Sequence, residues 1–196
     1  MVAPVRHRSN NPHLNWKVNT DPKQLDLMYI RLLGPDGHHL LTQEVKWLAV
    51  THKSFDHGRR GFNDRLAFLG RRIVALQASL GLVYSRSRKR QRLPPDPHGR
   101  EPHQSPALEG IENLTEKSLF SMVGNKRVAQ LANKSGLATV MQWVPRKPDD
   151  LITSGIDIVL ADGLYAIVGA IALQKGGELA AKIARERVLV PLGMEY

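Results

Sequence analysis

An all-α fold is what this sequence predicts, on three observations. Apolar residues recur at three- and four-residue spacing through most of the chain. No stretch alternates apolar and polar as a half-buried strand does. Residues that start and stop helices bracket the periodic segments. At 196 residues, with no cysteine, the chain suits one domain with a sizeable core and has neither disulfides nor thiolate metal sites. No uninterrupted apolar run reaches the roughly 18 residues of a membrane span. The most apolar segment, 161–173, carries Asp162 and glycines and reads as a buried helix.

The elements follow in chain order. Residues 1–19 hold Arg6, Arg8 and Lys17, with no acid before Asp21. That composition fits a basic arm, or equally the remnant of a processed presequence. Thr20-Asp21-Pro22 supplies a cap and a first-turn proline for the first helix, and Gly34 its end. Between them Leu25, Met28, Ile30, Leu32 and Leu33 form an apolar stripe. Gly34-Pro35-Asp36-Gly37 is a turn rather than a phosphate loop. Thr42 caps a second helix carrying Val45, Leu48 and Ala49. A third runs from near Phe62 to about Tyr84, with Leu66, Leu69, Ile73, Leu76 and Leu80 as its core stripe.

The helical pattern then breaks. Residues 85–106 contain Arg86, Arg88, Lys89, Arg90 and Arg92, followed by Pro94, Pro95, Pro97, Pro102 and Pro106. Proline at that density excludes regular structure. The segment reads as a basic insertion, either a solvated linker or an arm that orders against phosphates. Beyond it Thr115 and Asn125 cap two more helices, and Gly136 stops the second. A final helix from about Gly177 buries Leu179, Ile183 and Val188 and ends before Pro191. The chain thus divides into an arm, 1–19, and a domain, 20–196, interrupted at about 85–106.

Charge sharpens the functional reading. The net charge is +10. Between positions 51 and 100 twelve Lys and Arg face only Asp56, Asp64 and Asp96, so nearly all the excess sits in a quarter of the chain. Such concentration is the footprint of a polyanionic partner. RNA suits it better than a membrane surface, because no basic amphipathic helix with an aromatic face accompanies it. Candidate phosphate contacts are Arg59, Arg60, Arg86, Arg88, Lys89, Arg90 and Arg92. The eight histidines show no metal-ligand spacing, and Trp16, Trp47 and Trp143 read as core or contact residues.

Four segments, in order, resemble the ribonuclease III family. Asn63-Asp64-Arg65-Leu66-Ala67-Phe68-Leu69-Gly70-Arg71 is similar to its signature helix, N-E-R-L-E-F-L-G-D. Leu48-Ala49-Val50-Thr51-His52-Lys53-Ser54-Phe55 is similar to A-L-T-H-R-S-Y. Val123-Gly124-Asn125 resembles the V-G-N helix start, and Leu160 to Ala170 resembles A-D-x-x-E-A-L-I-G-A. The resemblance implies a helical endonuclease domain. It implies dimerisation through the signature helix around Phe68 and Leu69. It also implies a Mg²⁺ site of carboxylates at positions 64, 67, 71, 162 and 165.

That site is degenerate here. Asp64 and Asp162 are acids, whereas Ala67, Arg71 and Tyr165 are not. Spacing of i, i+3 and i+7 places 64, 67 and 71 on one helix face. Metal-activated hydrolysis needs several carboxylates there, so the expectation is a nuclease fold that does not cut, with no cofactor or metal. Arg71 is expected to pair with Asp162, Asp64 or both. His52 is expected to be structural.

The resemblance extends to the catalytically inactive family members of the large subunit of fungal mitochondrial ribosomes. It implies a structural protein of the mitochondrial matrix, bound to ribosomal RNA and other large-subunit proteins. A second ribonuclease III-like ribosomal protein, or a second copy of the chain, would be its dimer partner. Two alternatives stay open: the silent subunit of a heterodimeric endoribonuclease, and an organellar RNA-processing or assembly factor.

Overall fold

A computed structural model describes residues 16–85, 96–100 and 105–194, and within them every regular element is helical. The nearest approach to a strand is one parallel bridge between Thr51 and Gln142. Helix α1, Pro22–Leu33, begins as its sequence dictates. The Asp21 carboxylate accepts the Lys23 N–H at 2.9 Å, and Pro22 occupies the first turn, where its missing N–H costs nothing. Gly34, at φ 102°, ends the helix in a conformation that glycine adopts without strain. α1 buries Leu25, Met28, Tyr29, Leu32 and Leu33. Helix α2, Gln43–Ala49, follows Thr42, whose hydroxyl accepts from the Gln174 amide at 3.1 Å instead of capping the helix.

Helices α3, Asp64–Tyr84, and α7, Ile156–Lys175, form the centre. Every residue of α7 from Gly163 to Ile171 is buried. The contact between the two helices depends on two glycines. A Cβ on Gly70 would lie 1.8 Å from the Tyr165 carbonyl oxygen, and one on Gly169 would lie 2.1 Å from that of Leu66. The backbones therefore touch with no side chain between them.

Which face of α3 is buried differs from the sequence expectation. Ala67, Gly70, Val74, Gln77, Ala78 and Gly81 face inward beside Leu66. Leu76 and Leu80, expected in the core, are exposed, and Leu69 and Ile73 are half-buried. Close approach to α7 selects the small residues of α3. Its larger apolar residues form a second, outward stripe.

Helix bounds also revise the reading of membrane-length segments. α3 and α7 are each long and apolar enough, by length and composition, to cross a bilayer. In α7, 67% of the apolar window is packed inside the fold, and in α3 33%.

Helix α4, Glu116–Val123, opens with a reciprocal capping box. The Thr115 hydroxyl accepts the Ser118 N–H at 3.1 Å, and the Ser118 hydroxyl accepts the Thr115 N–H at 3.0 Å. Helix α5, Asn125–Lys134, is capped by Gly124, so Asn125 is its first residue rather than its cap. Gly136, at φ 85°, turns the chain into the short helix α6, Leu137–Val140. Helix α8, Gly177–Ile183, continues without a break into a π-helical segment, Ala184–Leu189, and the chain leaves it just before Pro191. Ile183 and Val188 are buried there, while Leu179 is half-buried.

Of the proposed arm, residues 1–15 lie outside the described residues. Trp16 packs edge-on against the buried Trp143, with ring centroids 5.9 Å apart. Arg86, Arg88, Lys89, Arg90 and Arg92 also lie outside the described residues. Downstream in the insertion, Arg100 pairs with Asp96 at 2.9 Å.

Candidate functional site

α3 and α7 bring most of the expected site positions together, and their side chains satisfy one another. The Arg71 guanidinium donates from Nη2 to Asp162 Oδ1. It also lies 5.2 Å from the Tyr165 ring centroid, within cation–π range. The Tyr165 hydroxyl points elsewhere and donates to the Val123 carbonyl at 3.0 Å, tying α7 to the end of α4. Burial pushes the Tyr165 phenol up to about 12; Arg71 opposes that rise and Asp162 adds to it. The phenol is thus neutral at any physiological pH. Ala67 is buried and offers no ligand atom.

Asp64 stands apart from this cluster, paired with Lys53 at 3.3 Å. Of the two partners open to Arg71 in the sequence, the fold selects Asp162. Both remaining carboxylates are committed to cations, and the positions between them are a methyl group, a guanidinium and a hydrogen-bonded phenol. These residues do not fit a divalent ion.

His52 sits beside this site in a structural role. Its backbone N–H donates to the Gln142 carbonyl at 2.9 Å. Its Nδ1 is 3.2 Å from the Ser54 N–H and 2.9 Å from the Ser54 hydroxyl. Partial burial lowers its pKa, and Lys53 lowers it further; Asp64 and Asp162 act in the opposite direction. Asn63 contributes in a way the motif alone did not reveal. It is fully buried, its side-chain amide donates to the Ala49 carbonyl at 3.1 Å, and its N–H donates to the Thr51 carbonyl at 2.9 Å. It fastens the start of α3 to the end of α2. A fully buried asparagine at a helix start is a sequence signal only once burial is known.

The outward stripe of α3 is the other notable surface. Phe68 is 64% exposed, with Arg72 5.1 Å from its ring centroid. Leu76, Leu80 and Tyr84 continue the exposed stripe, and Phe120 of α4 is exposed as well. Leu69 is half-buried beside it. Arg59 is exposed; Arg60 lies 3.5 Å from Asp56 and within cation–π range of Phe55.

Fold and site together define a helical domain in which Ala67, Arg71 and Tyr165 stand at positions where the family resemblance implies acids. The ribonuclease-III-like family profile matches residues 42–192, and the chain belongs to that family. It is similar to the large ribosomal subunit protein mL57 of Neurospora crassa, with 45% identity over 178 residues, covering 91% of this chain and 66% of that protein. It is similar to ribonuclease 3 of Dinoroseobacter shibae, with 29% identity over 146 residues, covering 74% of this chain and 53% of that enzyme. Ribonuclease 3 of Pseudomonas syringae is 30% identical over 162 residues, covering 82% of this chain and 57% of the enzyme. The chain therefore spans between about half and just under two thirds of these relatives. Among solved structures, the nuclease domain of ribonuclease III from Campylobacter jejuni superposes with TM-score 0.59 at 21% identity, covering 91% of this chain and all of that one. A second structure of that domain, concerned with a region involved in its dimer formation, gives TM-score 0.52 at 24% identity, covering 74% and 85%. These structures share the fold.

Proposed function

We propose that this chain is a non-catalytic structural constituent of the mitochondrial large ribosomal subunit, binding ribosomal RNA and neighbouring proteins. One observation carries the reading. The carboxylate Asp162 is bound by Arg71, with Ala67 and Tyr165 at the positions where the family's resemblance calls for acids. Similarity to a large-subunit protein supports the same assignment, as does the net charge of +10.

The exposed stripe Phe68, Leu76, Leu80 and Tyr84 is a further part of the proposal. It serves as the pairing surface for a second ribonuclease III-like chain, with a second copy of this one as the simpler partner. An apolar stripe of this length on a soluble domain calls for a cover. Phe68→Asp should abolish the pairing in sedimentation equilibrium while leaving the fold intact, because Phe68 adds little to the core.

The test of the whole reading is quantitative mass spectrometry of salt-washed mitochondrial ribosome fractions. A constant one-to-one ratio with large-subunit proteins across the gradient is the expected result. Loss of the chain from mature particles, together with Mg²⁺-dependent RNA cleavage by the purified chain, would overturn it.

A further inference from the structure

We propose a second RNA-contact surface, built by α5 together with the ends of α1 and of the C-terminal helical segment, that binds the phosphodiester backbone. This rests on the RNA-binding reading above but uses none of the residues assigned to it. α5, Asn125–Lys134, contains no acid. Its Val128, Ala129 and Ala132 are buried, and its outer face presents Lys126, Arg127, Gln130, Asn133 and Lys134. From Lys126 to Lys134 is eight residues, about 12 Å along the axis. That length spans several phosphate steps of a nucleic-acid strand.

The track ends in a cleft of about 210 Å³, where Lys134 meets Arg31 from α1 and Glu186 and Arg187 from the π-helical segment. Two glycines leave room for the guanidinium groups at its rim. A Cβ on Gly34 would fall 2.9 Å from Arg187 Nη2, and one on Gly136 would fall 3.1 Å from Arg31 Nη1. Arg127 stiffens the surface. It donates to the Ser121 carbonyl at 2.6 Å and to the Leu192 carbonyl, joining α4, α5 and the chain's end.

The charge there is uncompensated. Among the described residues the side chains of Arg31, Lys126, Lys134 and Arg187 make no ion pair or hydrogen bond. Arg31, Lys134 and Arg187 each lie in the last turn of a helical segment, where the macrodipole favours a cation. That effect amounts to roughly half a charge per helix end. Together with Glu186 it leaves the five cations in clear excess. An acidic protein segment would need an apolar anchor to bind tightly. On α5 and the C-terminal helical segment Val190 is the one exposed large hydrophobic among the described residues; Leu27 on α1 and Phe120 on α4 lie at the edges of the surface. Spread cations and neutral amide donors, with no aromatic residue on α5 itself, suit a phosphate backbone.

The test uses the full chain and fluorescence anisotropy with a fluorescein-labelled RNA duplex over a salt series. Arg31→Gln with Arg187→Gln should flatten the log affinity against log salt slope by about one unit per cation removed. Affinity at about 0.1 M salt should fall by roughly tenfold or more. Arg146→Gln with Lys147→Gln, equal in charge, exposed, and outside both α5 and the cleft, should change either far less. An equal drop in both variants would reduce the effect to net charge and overturn the proposal. An unchanged slope in the Arg31/Arg187 variant, with wild type still binding RNA, would overturn this surface and leave the RNA reading standing. Lost incorporation into the large subunit together with an unchanged salt slope would give the cleft to a protein partner and overturn the proposal. No RNA binding by the wild type would bring down both readings. Circular dichroism melts of both variants confirm that they are folded.

Discussion

Two neighbouring stretches of the α3–α7 contact follow opposite rules. At Gly70 and Gly169 the backbones touch, with room for no Cβ on either helix. One residue along α3, Arg71 reaches Asp162 and the Tyr165 ring. Tyr165 belongs to both stretches: its carbonyl oxygen lies against Gly70, and its side chain faces Arg71. The backbone contact depends on the absence of side chains and is indifferent to what its neighbours carry. Metal binding depends on the side chains alone. Side chains at positions 67, 71 and 165 can therefore change while the helix pair, and the fold around it, stay as they are.

The largest expected effect breaks the first stretch. Gly169→Ala should favour the helix by about 1 kcal/mol on propensity alone. Its Cβ would lie 2.1 Å from a carbonyl oxygen, so the helices must part. A net loss of about 3 kcal/mol in denaturant unfolding is expected; a gain in stability would show that the close contact is not real. Arg71→Ala tests the second stretch, at smaller scale. Arg71 is half exposed, so its pair with Asp162 is screened by solvent. The loss should be about 1 kcal/mol or less. No Mg²⁺-dependent cleavage should appear, since positions 67 and 165 still lack carboxylates. Cleavage by this variant would mean that Arg71 alone silences the site.

The smallest effect is titration at the edge of the site. His52 has a folded-state pKa below its ordinary value, mainly through burial. The unfolded chain therefore binds more protons in the window between the two values. Stability is full above about pH 6.5 and falls as pH drops through that window. His52→Gln should flatten this part of the melting-temperature profile. An identical acid slope in the variant would assign the effect to other groups.

Much of the fold was legible in the residues. Asp21-Pro22 and Gly34 fixed the bounds of α1, and Thr115 placed the start of α4, because caps act on the backbone within a few residues of themselves. The shared side of 64, 67 and 71 was legible too, since the helical repeat places them together without reference to the rest of the chain. The role of Asn63 was not, because its value lies in the buried Ala49 and Thr51 carbonyls it satisfies.

The sequence by itself determined a helical domain, non-acidic residues at positions 67, 71 and 165, and an excess of positive charge. Tertiary structure alone decided three further matters. It chose which of two apolar faces α3 buries, since periodicity shows that residues share a face but not what lies opposite. It gave Asp162 to Arg71 and Asp64 to Lys53, a choice between partners equally available in the sequence. It also gathered Arg31, Lys134 and Arg187 around one cleft from three distant segments. The physical reason is the same in each case: local propensity acts over a few residues, whereas contacts between helices depend on how closely two backbones can pack.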